Sequence, residues 1–202
     1  MEKDVRKILV TLGAAIVLCQ GCASIGSVPW VKSRDSVVHI MSDSEQGSGV
    51  VIGKKCVLTV AHVVAGGTGL KIQSENGSPM FDATTIFQDD DLDVAVICSK
   101  QPLGLTPAKF AAKEPAIYDE VYEEGFPFGV AKVLTVGRWQ GDDYITAESA
   151  PGNSGGGVFN NNGELVGLTD AIVGAQGHLF PHLTVIVDTW TILPLLTKVP
   201  YE

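Results

Sequence analysis

Apolar residues in this chain come in short bursts that alternate with polar ones, and few are spaced for a helix face. Successive side chains of a strand point to opposite faces, so this period of two predicts strands. Ser36-Val37-Val38-His39-Ile40 is followed by a polar turn, and Gly47-Ser48-Gly49 leads into Val50-Val51-Ile52. Gly53-Lys54-Lys55 reads as a hairpin turn before Cys56-Val57-Leu58-Thr59. Leu70-Lys71-Ile72, Phe81 to Phe87 and Val94 to Cys98 continue the series. Ser99 to Ala116 is polar, contains Pro and joins two halves. The second half repeats the pattern at Ile117-Tyr118, Val121-Tyr122, Ala131 to Val136, Tyr144 to Ala147, Gly157 to Phe159, Leu165 to Leu168 and Leu183 to Val187. Asn160 to Gly163 is a further hairpin turn. Asp188 is placed to cap a short terminal helix, whose start or length Pro194 limits. Many short strands at close spacing predict an all-β domain, barrels or a sandwich.

Composition supports a folded core: 45% of residues are hydrophobic and only 18% are charged. The first residues follow a different plan. Lys3, Arg6 and Lys7 make a positive end, Ile8 to Leu18 is uncharged and mostly apolar, and small residues follow at Gly21, Cys22, Ala23 and Ser24. This is the layout of a secretory signal peptide over residues 1–21, with an apolar run too short for a membrane span. Leu18 to Ser24 also resembles a bacterial lipobox, in which Cys22 would be lipidated and become the mature N-terminus. Where such signals usually carry Leu, this chain has Cys19. The expectation is an exported protein of a bacterial cell envelope, in the periplasm, tethered to a membrane by a lipid on Cys22. Residues 22–35 read as a linker. A formal net charge of −9 disfavours nucleic acid as a partner. The cysteines form no CxxC pattern and the histidines no ligand spacing, so neither a metal nor a cofactor is expected.

Three residues sit in settings that carry chemistry. His62 lies in Val57-Leu58-Thr59-Val60-Ala61-His62-Val63-Val64, Asp93 opens Asp93-Val94-Ala95-Val96-Ile97, and Ser154 lies in Pro151-Gly152-Asn153-Ser154-Gly155-Gly156-Gly157. A serine hydroxyl attacks a carbonyl usefully only when an imidazole takes its proton and a carboxylate fixes that imidazole. The glycines around Ser154 let the main chain turn so that the N–H groups of Gly152 and Ser154 converge on one point, an oxyanion hole. Asp89, Asp90 and Asp91 crowd close to Asp93. Asp93 is preferred because it anchors a strand end, with Asp91 the runner-up. His39, His178 and His182 lack an equivalent setting and read as structural or surface residues.

Together these segments resemble a trypsin-like serine peptidase, closest to the protease domain of the HtrA (Deg) family. The likeness covers about residues 36 to 190. Ser36-Val37-Val38 with Gly47 to Ile52 resembles the family's opening strands, and Val57 to Val64 its histidine motif. Gly125-Phe126-Pro127-Phe128-Gly129 with Thr135-Val136-Gly137 resembles the segment that begins its second barrel. Gly152 to Gly156, through Gly163-Glu164-Leu165-Val166-Gly167, resembles its serine motif and the hairpin that follows. The resemblance implies two six-stranded antiparallel β-barrels within residues 36–202, the first about 36–100 and the second about 116–190. The active site would lie in the cleft between them. His62 would then be the general base, Asp93 its orienting partner and Ser154 the nucleophile of a serine endopeptidase. The strand Leu168-Thr169-Asp170-Ala171 would pair with an extended peptide or protein substrate.

The chain also departs from the family. Residue 202 leaves no room for a PDZ domain, so capture of substrate by one is not expected. The loop Thr146 to Pro151 is shorter than usual and shapes the primary specificity pocket. Glu148 stands where trypsin carries an aspartate, and either draws a basic residue into that pocket or lies on its rim. The two-barrel arrangement would place Cys56 opposite Cys98, as a disulfide or as packed free thiols. Two rival readings share the same residues: a protease-like peptide-binding module without turnover, and an esterase. The missing strand–helix alternation speaks against an esterase of the α/β-hydrolase type.

Overall fold

Runs of Val, Ile and Leu with a period of two can bury only one side, and a sheet that curls closed hides that side without leaving an edge. The computed structural model describes residues 35–75, 77, 79–141, 143–175 and 177–201. The signal segment, Cys22 and nearly all of the linker lie outside the described residues. Two closed barrels of six antiparallel strands each account for most of the rest. The first contains β1 (Val37–Met41), β2 (Gln46–Val51), β3 (Cys56–Thr59), β4 (Lys71–Gln73), β5 (Met80–Asp89) and β6 (Val94–Ser99), in the spatial order β1-β2-β3-β6-β5-β4. The second contains β7 (Glu120–Gly125), β8 (Val133–Gly141), β9 (Tyr144–Ile145), β10 (Gly157–Phe159), β11 (Leu165–Ala175) and β12 (His178–Asp188), in the order β10-β11-β12-β9-β8-β7.

Ile40, Val50, Leu58, Ile72 and Ile97 are fully enclosed in the first barrel. Trp139, Ile145, Val158, Val166 and Ile186 fill the second. Each such aliphatic side chain contributes ~1.5–3 kcal/mol of burial. Two short helices complete the chain: α1 (Ala61–Val64) directly after β3, and α2 (Thr189–Leu196) at the end. Asp188 caps α2 as expected, accepting the Thr191 amide at 2.8 Å. Pro194 lies inside this helix and does not end it. Ile192 and Leu196 of α2 join the cluster of the first barrel, so the terminal helix clasps one barrel to the other. No helix among the described residues is long and apolar enough to cross a membrane.

The structure departs from the sequence reading in two elements. Tyr118, expected in a strand, sits in a turn with φ 70°. The hairpin of β11 and β12 runs well beyond Leu165 to Leu168 and Leu183 to Val187, and its far end exposes the apolar side chains of Leu179 and Phe180. Pairing along this arm is carried by main-chain hydrogen bonds, which have no side-chain signature.

Cys56 and Cys98 face each other across the β3–β6 ladder and are joined in a disulfide, with Cα atoms 4.1 Å apart. Of the two alternatives, bonded or free, the structure therefore has the bonded one. The bridge ties together the two strands whose other ends lead to His62 and Asp93.

Candidate active site

His62 and Asp93 come from adjacent strands of the first barrel. β3 runs into α1, whose second residue is His62; its neighbours Ala61, Val63 and Val64 are buried and anchor the turn. Asp93 immediately precedes β6 and takes φ 52°, a left-handed conformation uncommon for any residue but glycine. Such strain persists only where the surroundings hold it. Here Asp93 accepts two hydrogen bonds from the same residue: Oδ1 from the His62 main-chain N–H at 2.8 Å, and Oδ2 from His62 Nδ1 at 2.6 Å. The pair fixes both the ring plane and the tautomer, leaving Nε2 free to accept a proton.

Ser154 belongs to the second barrel, on the turn before β10. Gly152 has φ 99°, and a Cβ there would stand 2.5 Å from the Phe126 carbonyl oxygen. Gly155 has φ 82°, and its Cβ would meet Ser48 O and Thr59 Oγ1 at 2.2 Å. Neither position admits a side chain, which explains the glycine pattern around the serine. Ser48 of β2 holds this turn from the opposite barrel. Its Oγ donates to Gly152 O at 2.7 Å and accepts the Phe126 amide at 2.8 Å, and its own amide donates to Ser154 O at 2.8 Å. The sequence reading used Ser48 only as part of a motif; this bridge between the barrels was not visible in it.

His62 and Ser154 line one cleft of about 400 Å³, together with Ser149, Ala150, Pro151, Thr169, Asp170, Ala171, Ile172 and Leu179. The Ser154 hydroxyl donates to the main-chain carbonyl of Asp170 at 3.0 Å. Of the strand expected to meet substrate, Thr169, Asp170 and Ala171 border the cleft. Leu168 does not: it is fully buried and paired with Gly157 on one side and Val187 on the other. The cleft-facing stretch therefore begins at Thr169. Glu148 is exposed and outside the lining, its carbonyl taken by Thr135 Oγ1 at 2.9 Å. Asp91, the second candidate for the carboxylate, is exposed in a turn closed by Asp89. His39 is buried and stacks on Phe126, while His178 and His182 are exposed.

Charge is unevenly distributed here. The hydrogen bond to Asp93 raises the His62 pKa, burial opposes it, and the charges of Asp93, Asp170 and Glu45 add to the rise. Burial alone would push the Asp93 carboxyl up, but the His62 ring, amide and charge, with Asp170, hold it below its ordinary value. Asp170 moves the other way, raised by burial and by the Asp93 charge. Donor atoms of His62, Asp93 and Asp170 all lie within 4.8 Å of one another. They are the grouping of metal-type donors found among the described residues, although Nδ1 of His62 is engaged by Asp93.

The chain is similar to known proteins in sequence and in fold. A family described as the trypsin-like peptidase domain matches residues 47–168, and the chain belongs to that family. A probable periplasmic serine protease do/HhoA-like of Haemophilus influenzae is 35% identical over 148 residues, 65% of this chain and 32% of that protein. The periplasmic serine endoprotease DegP of Escherichia coli K12 is 34% identical over 147 residues, 65% of this chain and 31% of that protein. The chain thus spans about a third of the length of these relatives. The active form of the Rv3671c protease from M. tuberculosis superposes with a TM-score of 0.75 at 25% identity, over 85% of this chain and 84% of that one. The serine endoprotease from Yersinia pestis shares the fold, with a TM-score of 0.75 at 23% identity over 84% of this chain and 64% of that one.

Proposed function

We propose that this chain is a serine endopeptidase that hydrolyses peptide bonds of protein substrates through an acyl-enzyme. The observation that carries the reading is the His62–Asp93 pair, doubly hydrogen-bonded, facing Ser154 across one cleft between two barrels. Rotation of the Ser154 side chain turns its hydroxyl from the Asp170 carbonyl toward His62 Nε2. Nε2 takes the proton as Oγ bonds to the scissile carbonyl carbon, and the carbonyl π pair moves onto oxygen. The N–H groups of Gly152 and Ser154 receive that oxyanion; losing one such donor costs ~10²–10³ in rate. His62 then passes its proton to the leaving amine, and the acyl group stays on Ser154. Water repeats the sequence with His62 as base and releases the acid. Thr169 to Ala171 offer the strand against which an extended peptide lies.

The names of the relatives and the signal-like N-terminus support an exported location in the cell envelope. The lipobox-like Cys22 supports attachment to a membrane through a lipid. Metabolic labelling with a fatty acid tests this: label lost in Cys22→Ser supports the anchor, and unlabelled exported protein removes it.

One observation favours a second reading, a peptide-binding module without turnover: the Ser154 hydroxyl is held by Asp170 O and not by His62. A fluorophosphonate probe separates the two. Labelling of the folded protein, abolished in Ser154→Ala, supports the endopeptidase. Folded protein that takes no label supports the binder.

A further inference from the structure

His62 and Asp93 have a third neighbour that proton transfer to Ser154 does not require. It is Asp170 of β11, and one donor atom from each of the three side chains lies within 4.8 Å of the others. Asp170 owes its position to an irregularity in its strand. Thr169 pairs with Ile186 and Ala171 with Val185, so Asp170 is the extra residue of a β-bulge. A bulge re-aims the side chain it carries, and this one sets a carboxyl of the second barrel beside a carboxyl of the first.

The three ligating groups are held in advance. Asp93 takes two hydrogen bonds from His62, the neighbours of His62 are buried, and the Asp170 carbonyl accepts Ser154 Oγ at 3.0 Å. Among the described residues, no lysine or arginine forms an ion pair with Asp93 or Asp170. Carboxylates this close repel, and a divalent cation between them reverses the sign of the interaction. The group is also reachable, because the His62 and Asp93 side chains are 50% and 27% exposed. One imidazole with two carboxylates suits zinc, which at open sites takes three protein ligands and a water. Zinc bonds of ~2.0–2.2 Å place tetrahedral donors ~3.3–3.6 Å apart. His62 Nδ1 and Asp93 Oδ2, now 2.6 Å apart, need only move apart by about 1 Å or less to admit the ion.

We propose that His62 Nδ1 and the carboxylates of Asp93 and Asp170 form a zinc site that switches this peptidase off reversibly. His62 and Asp93 alone offer two ligands; Asp170 supplies the third and turns an orienting pair into a metal site. Zinc displaces the proton from Nδ1, and the neutral ring carries that proton on Nε2 instead. Nε2 then has no lone pair for the Ser154 proton, and Asp93 no longer orients the ring. Any proton shared by the two carboxyls leaves to water. Binding itself does not need the Ser154 hydroxyl; its effect on hydrolysis rests on the endopeptidase reading.

The test titrates zinc chloride into Ser154→Ala, which keeps all three ligands, and follows binding by calorimetry. One zinc per chain is expected. Adding Asp170→Ala should weaken binding by at least ~10-fold, since losing even a residue that only supports a ligand costs about 10–100-fold. Where that variant does not fold, Asp170→Asn carries the same expectation. His178→Ala and His182→Ala, at exposed positions of β12, should leave the affinity unchanged. Equal affinity with and without Asp170, or affinity lost with His178 or His182, overturns the proposal. In the wild type, zinc at ~10 times its Kd should slow peptide hydrolysis and fluorophosphonate labelling by ~10-fold. A chelator should restore both, and magnesium, which gives up its water reluctantly, should change neither. Zinc bound at Asp170 with undiminished labelling overturns the switch. Wild type that takes the label but binds no zinc overturns this inference alone. Folded wild type that binds zinc through Asp170 yet takes no label without zinc supports the site and overturns the endopeptidase reading.

Discussion

The side chain of Asp170 stands against that of Asp93, with donor atoms of both and of His62 gathered within 4.8 Å. Two carboxylates so close do not both ionise freely. Asp93 is held charged by His62, and Asp170 is the one whose pKa rises. A neutral Asp170 can donate its proton to Asp93 and steady it for the imidazole. Asp170→Asn keeps a donor at this place, whereas Asp170→Ala does not. The expected outcome is near-normal kcat for the Asn variant and a loss of about tenfold for Ala, the size of one charged hydrogen bond of ~1.5 kcal/mol. Steady-state kinetics on the two variants checks it; equal losses would assign Asp170 a different part.

The pH profile follows from His62. Catalysis needs the neutral imidazole, and Asp93 raises the pKa of the ring. The acid limb of kcat/KM is therefore expected above the ordinary 6.5. Asp93→Asn removes the main raising cause, so its residual activity should titrate at lower pH, with a rate lower by roughly 10⁴. The same shift has a stability counterpart of opposite sense. A raised folded pKa contributes stability below the unfolded value that is lost as pH rises through the folded one. Thermal denaturation of inactive Ser154→Ala across pH 5 to 9, set beside the rate profile, distinguishes the two effects.

Ser48 gives a third prediction. Ser48→Ala strands the Gly152 carbonyl and the Phe126 amide, which share its hydroxyl. A cost of about 1–3 kcal/mol in stability is expected for the unsatisfied groups. The oxyanion turn loosens with it, so kcat should fall more than KM rises. Denaturant unfolding and kinetics on one preparation measure both.

Reduction tests the disulfide. Cys56 and Cys98 are 42 residues apart, so opening the bond releases a long loop. The loss is expected to be about 2–4 kcal/mol. A Cys56→Ser, Cys98→Ser double variant compared with oxidised protein in urea measures it. Activity should persist where the variant remains folded, because the bridge lies at the far end of the strands that lead to His62 and Asp93.

The chain by itself determined the all-β architecture and the settings of His62, Asp93 and Ser154. Alternating side chains report a one-sided burial, and Gly152 and Gly155 report backbone angles that other residues resist. These signals are local, so they can be read along the chain. The tertiary structure alone decided what depends on distant strands meeting. Glu123 looks like an ordinary polar residue of a short apolar run, yet closure of the second barrel buries it and brings Ser149, Asn153 and Thr169 onto one oxygen. Ser48, a hydroxyl between two glycines, becomes a tie between barrels only when Gly152 and Phe126 arrive beside it. Asp170 belonged to an expected substrate strand, and only folding set its carboxyl beside Asp93. Burial and hydrogen bonding are properties of the packed whole, and no window of sequence contains the partners that create them.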